Sequence, residues 1–96
     1  MPKESAVVKS IRDALKKKYG SQWYGIKIHG DQYTVNQPDV LGCLAGRCVA
    51  IECKLPGKHA RPGQLAILRL WARAGAIVIT DASSKEQVLQ AIETSL

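Results

Sequence analysis

Phenylalanine is absent, and only two Trp and three Tyr represent the aromatics. The core must therefore be built from Val, Ile, Leu and Ala, and a chain this small buries proportionately little surface. Long apolar runs are missing too. The longest, such as Cys48–Ile51 and Ala76–Ile79, hold four residues each, far short of the ~20 that cross a bilayer; no membrane partner is expected. The opening Met-Pro-Lys-Glu-Ser passes straight into a charged amphipathic pattern, without the apolar segment and small-residue cleavage site of a secretory leader. Cysteine is scarce and odd in number. Cys43, Cys48 and Cys53 form no Cys-x-x-Cys pair and match no common zinc spacing, which disfavours a disulfide framework and fits a reducing cytoplasm. Their expected role is packing, as small hydrophobes. With no Gly-rich phosphate loop, Walker pattern or His-Glu-x-x-His helix, neither a nucleotide cofactor nor zinc-protease chemistry is expected.

Acidic residues are also in deficit. Eight Asp and Glu face fourteen Lys and Arg, for a net charge of +6, and a basic protein gains affinity for polyanions, nucleic acid first among them, by releasing condensed counterions. What remains is ordinary for a globular protein: 46% apolar and 23% charged residues over 96 positions, the size of one domain spanning residues 1–96.

Apolar residues at Val7, Val8, Ile11, Ala14 and Leu15 predict an amphipathic helix over Glu4–Tyr19 that stops at Gly20. Glu4 lies four, seven and eleven residues before Val8, Ile11 and Leu15, at the end of the buried stripe rather than on the wet side. Residues Trp23–Val35 alternate loosely around Gly30-Asp31 and predict a hairpin or a strand with a turn. Asp39–Leu44 and Cys48–Leu55 predict two strands joined through Ala45-Gly46-Arg47, the second ended by Pro56-Gly57. A basic loop over Lys58–Pro62 leads into a helix starting at Pro62-Gly63, with Gln64, Ile67, Leu68 and Trp71 on one face and Gly75 at its close. Ala76–Thr80 predicts a short buried strand. Ser83 and Glu86 have the spacing of a capping box for a last helix carrying Val88, Leu89, Ile92 and Leu96. The element order predicts an α/β fold, a mixed β-sheet flanked by helices, with a crossover at the second helix.

The chemistry concentrates in one strand. Side chains at i and i+2 share a face, so Glu52 and Lys54 project together while Val49, Ile51 and Cys53 turn into apolar packing. Twelve residues separate Asp39 from Glu52, and pairing of the two strands brings their carboxylates together. Clustered carboxylates repel unless a cation lies between them, and Mg²⁺ favours oxygen ligands. A cation held there would orient a phosphodiester and generate a water nucleophile, with Lys54 positioning that water or stabilising the transition state. A surface ion pair on an edge strand is the bland alternative for Glu52-x-Lys54 taken alone. His29 and His59 are acid–base candidates by residue type; His59, between Lys58 and Arg61, is better read as a phosphate contact or a solvated loop residue.

Pro38-Asp39 followed by Glu52-x-Lys54 resembles the PD-(D/E)xK nuclease superfamily. With Glu4 in the first helix, Gln64 opening the helix after the strand and Gly75 before the next strand, the pattern is similar to its VRR-NUC branch, the virus-type replication-repair nucleases. The likeness runs from the first helix to Thr80. Asn36 and Gln37 precede Pro38 where this branch often has glycine.

The resemblance implies a restriction-endonuclease-like core and a metal-dependent, structure-selective endodeoxyribonuclease using Mg²⁺ or Mn²⁺. It implies that Asp39 and Glu52 bind the metal, that the main-chain carbonyl of Cys53 adds a ligand, and that Glu4 ligates or supports it. Lys54 assists the nucleophile, and Gln64 contacts the site or the substrate backbone. Stand-alone members look like resolvases, which implies a homodimer acting on branched DNA such as four-way (Holliday) junctions; Lys16, Lys17, Lys18, Lys58 and Arg61 are the candidate DNA-binding residues. The alternative is a non-catalytic basic DNA-binding or assembly module with the same fold, although such a relative would be expected to have lost one of Asp39, Glu52 and Lys54.

Overall fold

The structure, a computed structural model, describes residues 3–29 and 35–96. Helix α1 (Glu4–Tyr19) ends at Gly20, whose φ of 57° releases the chain into a short 3₁₀ turn and strand β1 (Trp23–Lys27). Strands β2 (Val40–Leu44) and β3 (Arg47–Cys53) form a tight hairpin; helix α2 (Pro62–Arg73), strand β4 (Ile77–Ala82) and helix α3 (Lys85–Ser95) complete the chain. The sheet runs in the order β1-β2-β3-β4, antiparallel except for the β3–β4 pair, which is parallel and joined through α2. This is the mixed sheet and crossover expected from the element order.

One expectation is met in part and one is corrected. The strand expected in Trp23–Val35 is β1, paired with β2 from Trp23 opposite Leu44 to Lys27 opposite Val40; the turn expected at Gly30-Asp31 lies outside the described residues. At α3 the cap is Ser84 rather than Ser83: its Oγ accepts from the Gln87 N–H at 3.2 Å, while the Gln87 side chain accepts from the Ser83 N–H at 3.0 Å. Gln87 stands three residues beyond Ser84 and completes the spacing that Glu86 was expected to complete.

Helices α1 and α3 cover one face of the sheet. Val8, Ile11 and Leu15 meet Val40, Leu44, Val49, Ile51, Cys53, Ile77 and Ile79, with Val88 and Ile92 alongside. Truncating a fully buried member such as Ile11 or Ile51 would cost about 2–5 kcal/mol. The Trp23 indole lies over Gly25 and Gly42, which face each other across β1 and β2; a Cβ on Gly42 would meet the Tyr24 carbonyl oxygen at 2.5 Å. Helix α2 packs on the reverse face, where Leu68 and Gln64 are buried, and leaves the β1–β2 end of that face open. No described helix is long and apolar enough to cross a membrane.

Candidate active site

Three elements meet where β2 begins and β3 ends. Asp39 immediately precedes β2, and because Val40 pairs with Ile51, the register sets Asp39 opposite Glu52. Asn36 adopts φ 68°, a left-handed conformation that Asn tolerates better than most residues. It sits against Gly63, where an added Cβ would meet the Asn36 side-chain nitrogen at 2.7 Å, and Gln37 accepts from the Trp71 Nε1–H at 3.2 Å. The approach to Asp39 is thus fixed against α2. The Cys53 N–H donates to Asp39 Oδ2 at 2.8 Å.

Glu4, in the first turn of α1, completes the cluster: Glu4, Asp39 and Glu52 each offer a carboxylate oxygen, and these oxygens lie within 4.8 Å of one another. The helical register that set Glu4 on the buried stripe accounts for its arrival. Glu52 is only 1% exposed. Its Oε1 accepts from Gln64 Nε2 at 3.0 Å and lies 3.5 Å from Lys54 Nζ, whereas its Oε2 is buried with no hydrogen-bond partner. Gln64 is oriented by its other end, since its Oε1 accepts from the Arg61 N–H at 2.9 Å and the amide nitrogen must then face Glu52. Burial, and after it the Asp39 charge, push Glu52 up to about 7, against the pull of Lys54.

An orphaned buried carboxylate oxygen is costly unless a partner is supplied. Three convergent carboxylates, one with an unused buried oxygen, are an all-oxygen donor set suited to a hard divalent cation such as Mg²⁺ or Mn²⁺. The residues fit the ion. The Cys53 thiol is packed into the apolar core instead, where burial, and after it the charges of Asp39, Glu52 and Glu4, push it up to about 12. Only its main-chain atoms are available. Of the other cysteines, expected in packing, Cys43 is exposed and Cys48 half-buried, facing each other across β2 and β3.

The basic candidates divide. Lys58 and Arg61 are exposed on the β3–α2 loop beside Lys54 and Gln64. Lys16, Lys17 and Lys18 occupy the last turn of α1, twelve to fourteen residues from Glu4 and hence about 20 Å along the helix from the carboxylates. Lys18 is engaged by Glu93 of α3. Sequence periodicity did not single out Asp81. Strand β4 continues to Ala82 instead of stopping at Thr80, with Asp81 at φ 57°, and its carboxylate takes the Ala60 N–H at 2.7 Å and His59 Nδ1 at 3.0 Å. The available signal was the spacing of core residues, Ile77 and Ile79 followed by Ala82.

No family model matches the sequence, and no curated protein matches it. Solved structures do match. One described as a "VRR_NUC domain" superposes with a TM-score of 0.68 at 22% identity, covering 90% of this chain and 94% of its own. Another, a "VRR_NUC domain protein", gives 0.71 at 15% identity over 98% of this chain and 88% of its own. Superposition over 90% and 98% of this chain gives its mixed four-stranded sheet and helices the fold of the VRR_NUC domains.

Proposed function

We propose that the protein is a member of the VRR-NUC branch and a metal-dependent endodeoxyribonuclease. The observation that carries this reading is the convergence of Glu4, Asp39 and Glu52 around an unpartnered buried oxygen, with Lys54 alongside. Asp39, Glu52 and Glu4 would hold the cation, with the Cys53 carbonyl as a further oxygen. The ion would supply Lewis acidity toward a phosphodiester oxygen and lower the pKa of a water nucleophile. The protein supplies position. The Cys53 N–H fixes Asp39, and Gln64 fixes Glu52 so that Oε2 remains free. Lys54, with its side chain 14% exposed, keeps its ammonium next to Glu52, where it orients the attacking water and offsets charge gathering on the phosphoryl oxygens. Lys58 and Arg61 flank this centre as phosphate contacts.

The substrate proposed is branched DNA, four-way junctions above all, cut by a homodimer. Two matched incisions need two active sites, and one chain contributes one. A reverse sheet face that carries exposed Tyr24 and Ile26 gives a second copy apolar surface to cover. A non-catalytic DNA-binding module with this fold is the second reading; the unspent Oε2 of Glu52 argues against it, because an inert site has no need of a buried carboxylate without a donor. Purified protein incubated with linear, flapped and four-way DNA in Mg²⁺, Mn²⁺ or EDTA separates the two. Cleavage with either ion and none with EDTA is the expected result; DNA binding without cleavage in either ion would support the module.

A further inference from the structure

Strand β4 carries one more residue than its partner requires. Ile51 lies opposite Ile79 and Cys53 opposite Ala82, so two steps along β3 match three along β4. This is a β-bulge, a device that bends a strand and re-aims a side chain. Without it, strict alternation after Ile79 would send Asp81 into the apolar face; with it, Ala82 takes that place and is fully buried. The backbone at Asp81 meanwhile adopts φ 57°, a left-handed conformation that favours glycine and that Asp and Asn tolerate better than other residues with a Cβ. The aspartate suits both the backbone and the contacts that its carboxylate makes there.

The re-aimed carboxylate grips the basic loop between β3 and α2. Asp81 Oδ1 accepts the Ala60 N–H and Oδ2 lies 3.0 Å from His59 Nδ1, while the next backbone N–H, that of Arg61, is taken by Gln64. Consecutive residues of the loop are therefore tied to β4 on one side and, through Gln64, to Glu52 on the other. The bulge lies beside Lys54, whose N–H donates to the Ala82 carbonyl at 2.9 Å. A carboxylate can only accept, so His59 Nδ1 carries the proton and Nε2 is the ring nitrogen left for a ligand. The His59 side chain is 79% exposed, and Lys58 and Arg61 are exposed beside it.

We propose that Asp81 is a positioning residue that holds His59 and the Lys58–Arg61 loop as a contact for a DNA backbone phosphate flanking the cleaved one. The inference rests on the nuclease reading and adds the residue that organises substrate binding next to the metal site. A phosphate oxygen only accepts, so the contact uses an Nε2–H donor on His59, with the Asp81 carboxylate behind the ring offsetting positive charge.

The test compares wild type with Asp81→Gly, His59→Ala and the double variant, using fluorescence anisotropy on labelled DNA in EDTA and steady-state cleavage in Mg²⁺. Glycine suits the left-handed backbone and offsets part of the loss of the two Asp81 hydrogen bonds, so Asp81→Gly is expected to fold; a cooperative melt above the assay temperature with an unchanged circular dichroism spectrum then separates poorer DNA binding from a folding defect. Expected for each single variant is a rise of about three- to tenfold in Kd and KM, kcat changed less than twofold, and a salt slope smaller by up to about 0.9, the loss of one phosphate contact. The double variant is expected to match the worse single one, since tether and contact act as one unit. Should Asp81→Gly fail to fold, Asp81→Asn serves; Asn tolerates this backbone and keeps an acceptor for Ala60 but offers His59 Nδ1–H neither a second acceptor nor a charge, so the same rise in Kd is expected and wild-type binding contradicts the tether. A wild type that binds and cleaves DNA, with Asp81→Gly and His59→Ala at its Kd and KM, overturns this inference alone. A wild type that binds no DNA overturns the nuclease reading with it.

Discussion

Glu52 is held in a state that costs the fold and serves the site. Its carboxylate is buried, with one oxygen bonded and one not. Its proton is bound more tightly in the folded protein, at about 7 against an ordinary 4.5. With respect to this group the metal-free protein is therefore most stable below about pH 4.5 and loses stability as the pH rises toward 7, by on the order of 3 kcal/mol in all. Thermal melts of metal-free wild type and Glu52→Gln at pH 5.5, 6.5 and 7.5 are expected to diverge, with the variant gaining as pH rises; a constant difference would refute the buried charge. Added Mg²⁺ should raise the wild-type melting temperature more at pH 7.5 than at pH 5.5. The same variant should lose all cleavage, as should Asp39→Asn and Lys54→Ala. Glu4→Gln, removing a half-exposed carboxylate, should weaken cleavage and recover with excess metal. Lys54→Ala should still bind metal by calorimetry; loss of binding would make Lys54 structural. The convergence of Asp39, Glu52 and Glu4 was legible in the sequence because strand alternation, hairpin pairing and helical register are all periodic. Asp81 was not, because a bulge is the point at which the period of two fails.

At the scale of elements, the chain punctuates itself with residues that cannot continue what precedes them. Gly20, Gly46, Pro62 and Gly75 mark ends and starts that the structure reproduces closely. Pairing is harder to foresee than existence, as β1 demonstrates: its apolar residues fit several partners, and the one chosen lets the Trp23 indole lie over the Gly25–Gly42 pair. That contact makes Gly42→Ala severe, since its Cβ would meet the Tyr24 backbone, which cannot swing aside as a side chain can. A loss of about 1–3 kcal/mol or more in urea unfolding is expected. The β2–β3 turn should respond in the opposite direction. Ala45 and Gly46, at φ 49° and 88°, link Leu44 to its partner Arg47, the two-residue hairpin loop in which both central residues need positive φ. Ala45 bears a Cβ where Asn or Gly is preferred, so Ala45→Gly should stabilise the fold by about 1 kcal/mol. An unchanged urea midpoint would show that Ala45 is not strained.

Over the whole molecule, the two ends of α1 face different tasks. Its acidic first turn joins the carboxylate cluster; its basic last turn, about 20 Å away, would on the proposed reading be too distant to share a scissile phosphate with Lys58 and Arg61 and would instead meet a second arm of a branched substrate. The reverse face of the sheet has its own asymmetry. Helix α2 covers the β3–β4 side, while on β1 Tyr24 is 78% and Ile26 49% exposed. Leu41 and Cys43 lie directly across from them on β2. Trp23, the neighbour of Tyr24 in sequence, belongs to the core and is not available. A soluble monomer has little reason to present contiguous apolar side chains on an open sheet, and a two-fold partner covering them would bring two active sites onto one DNA molecule. Light scattering at assay concentration is expected to give twice the chain mass, and the double variant Tyr24→Lys, Ile26→Lys a single chain mass with an unchanged circular dichroism spectrum. That variant should lose paired incision of four-way junctions while still nicking one strand, because each protomer keeps its own Asp39, Glu52 and Lys54. A wild-type monomer that cuts linear duplex as readily as junctions would refute the resolvase reading and leave the nuclease reading intact.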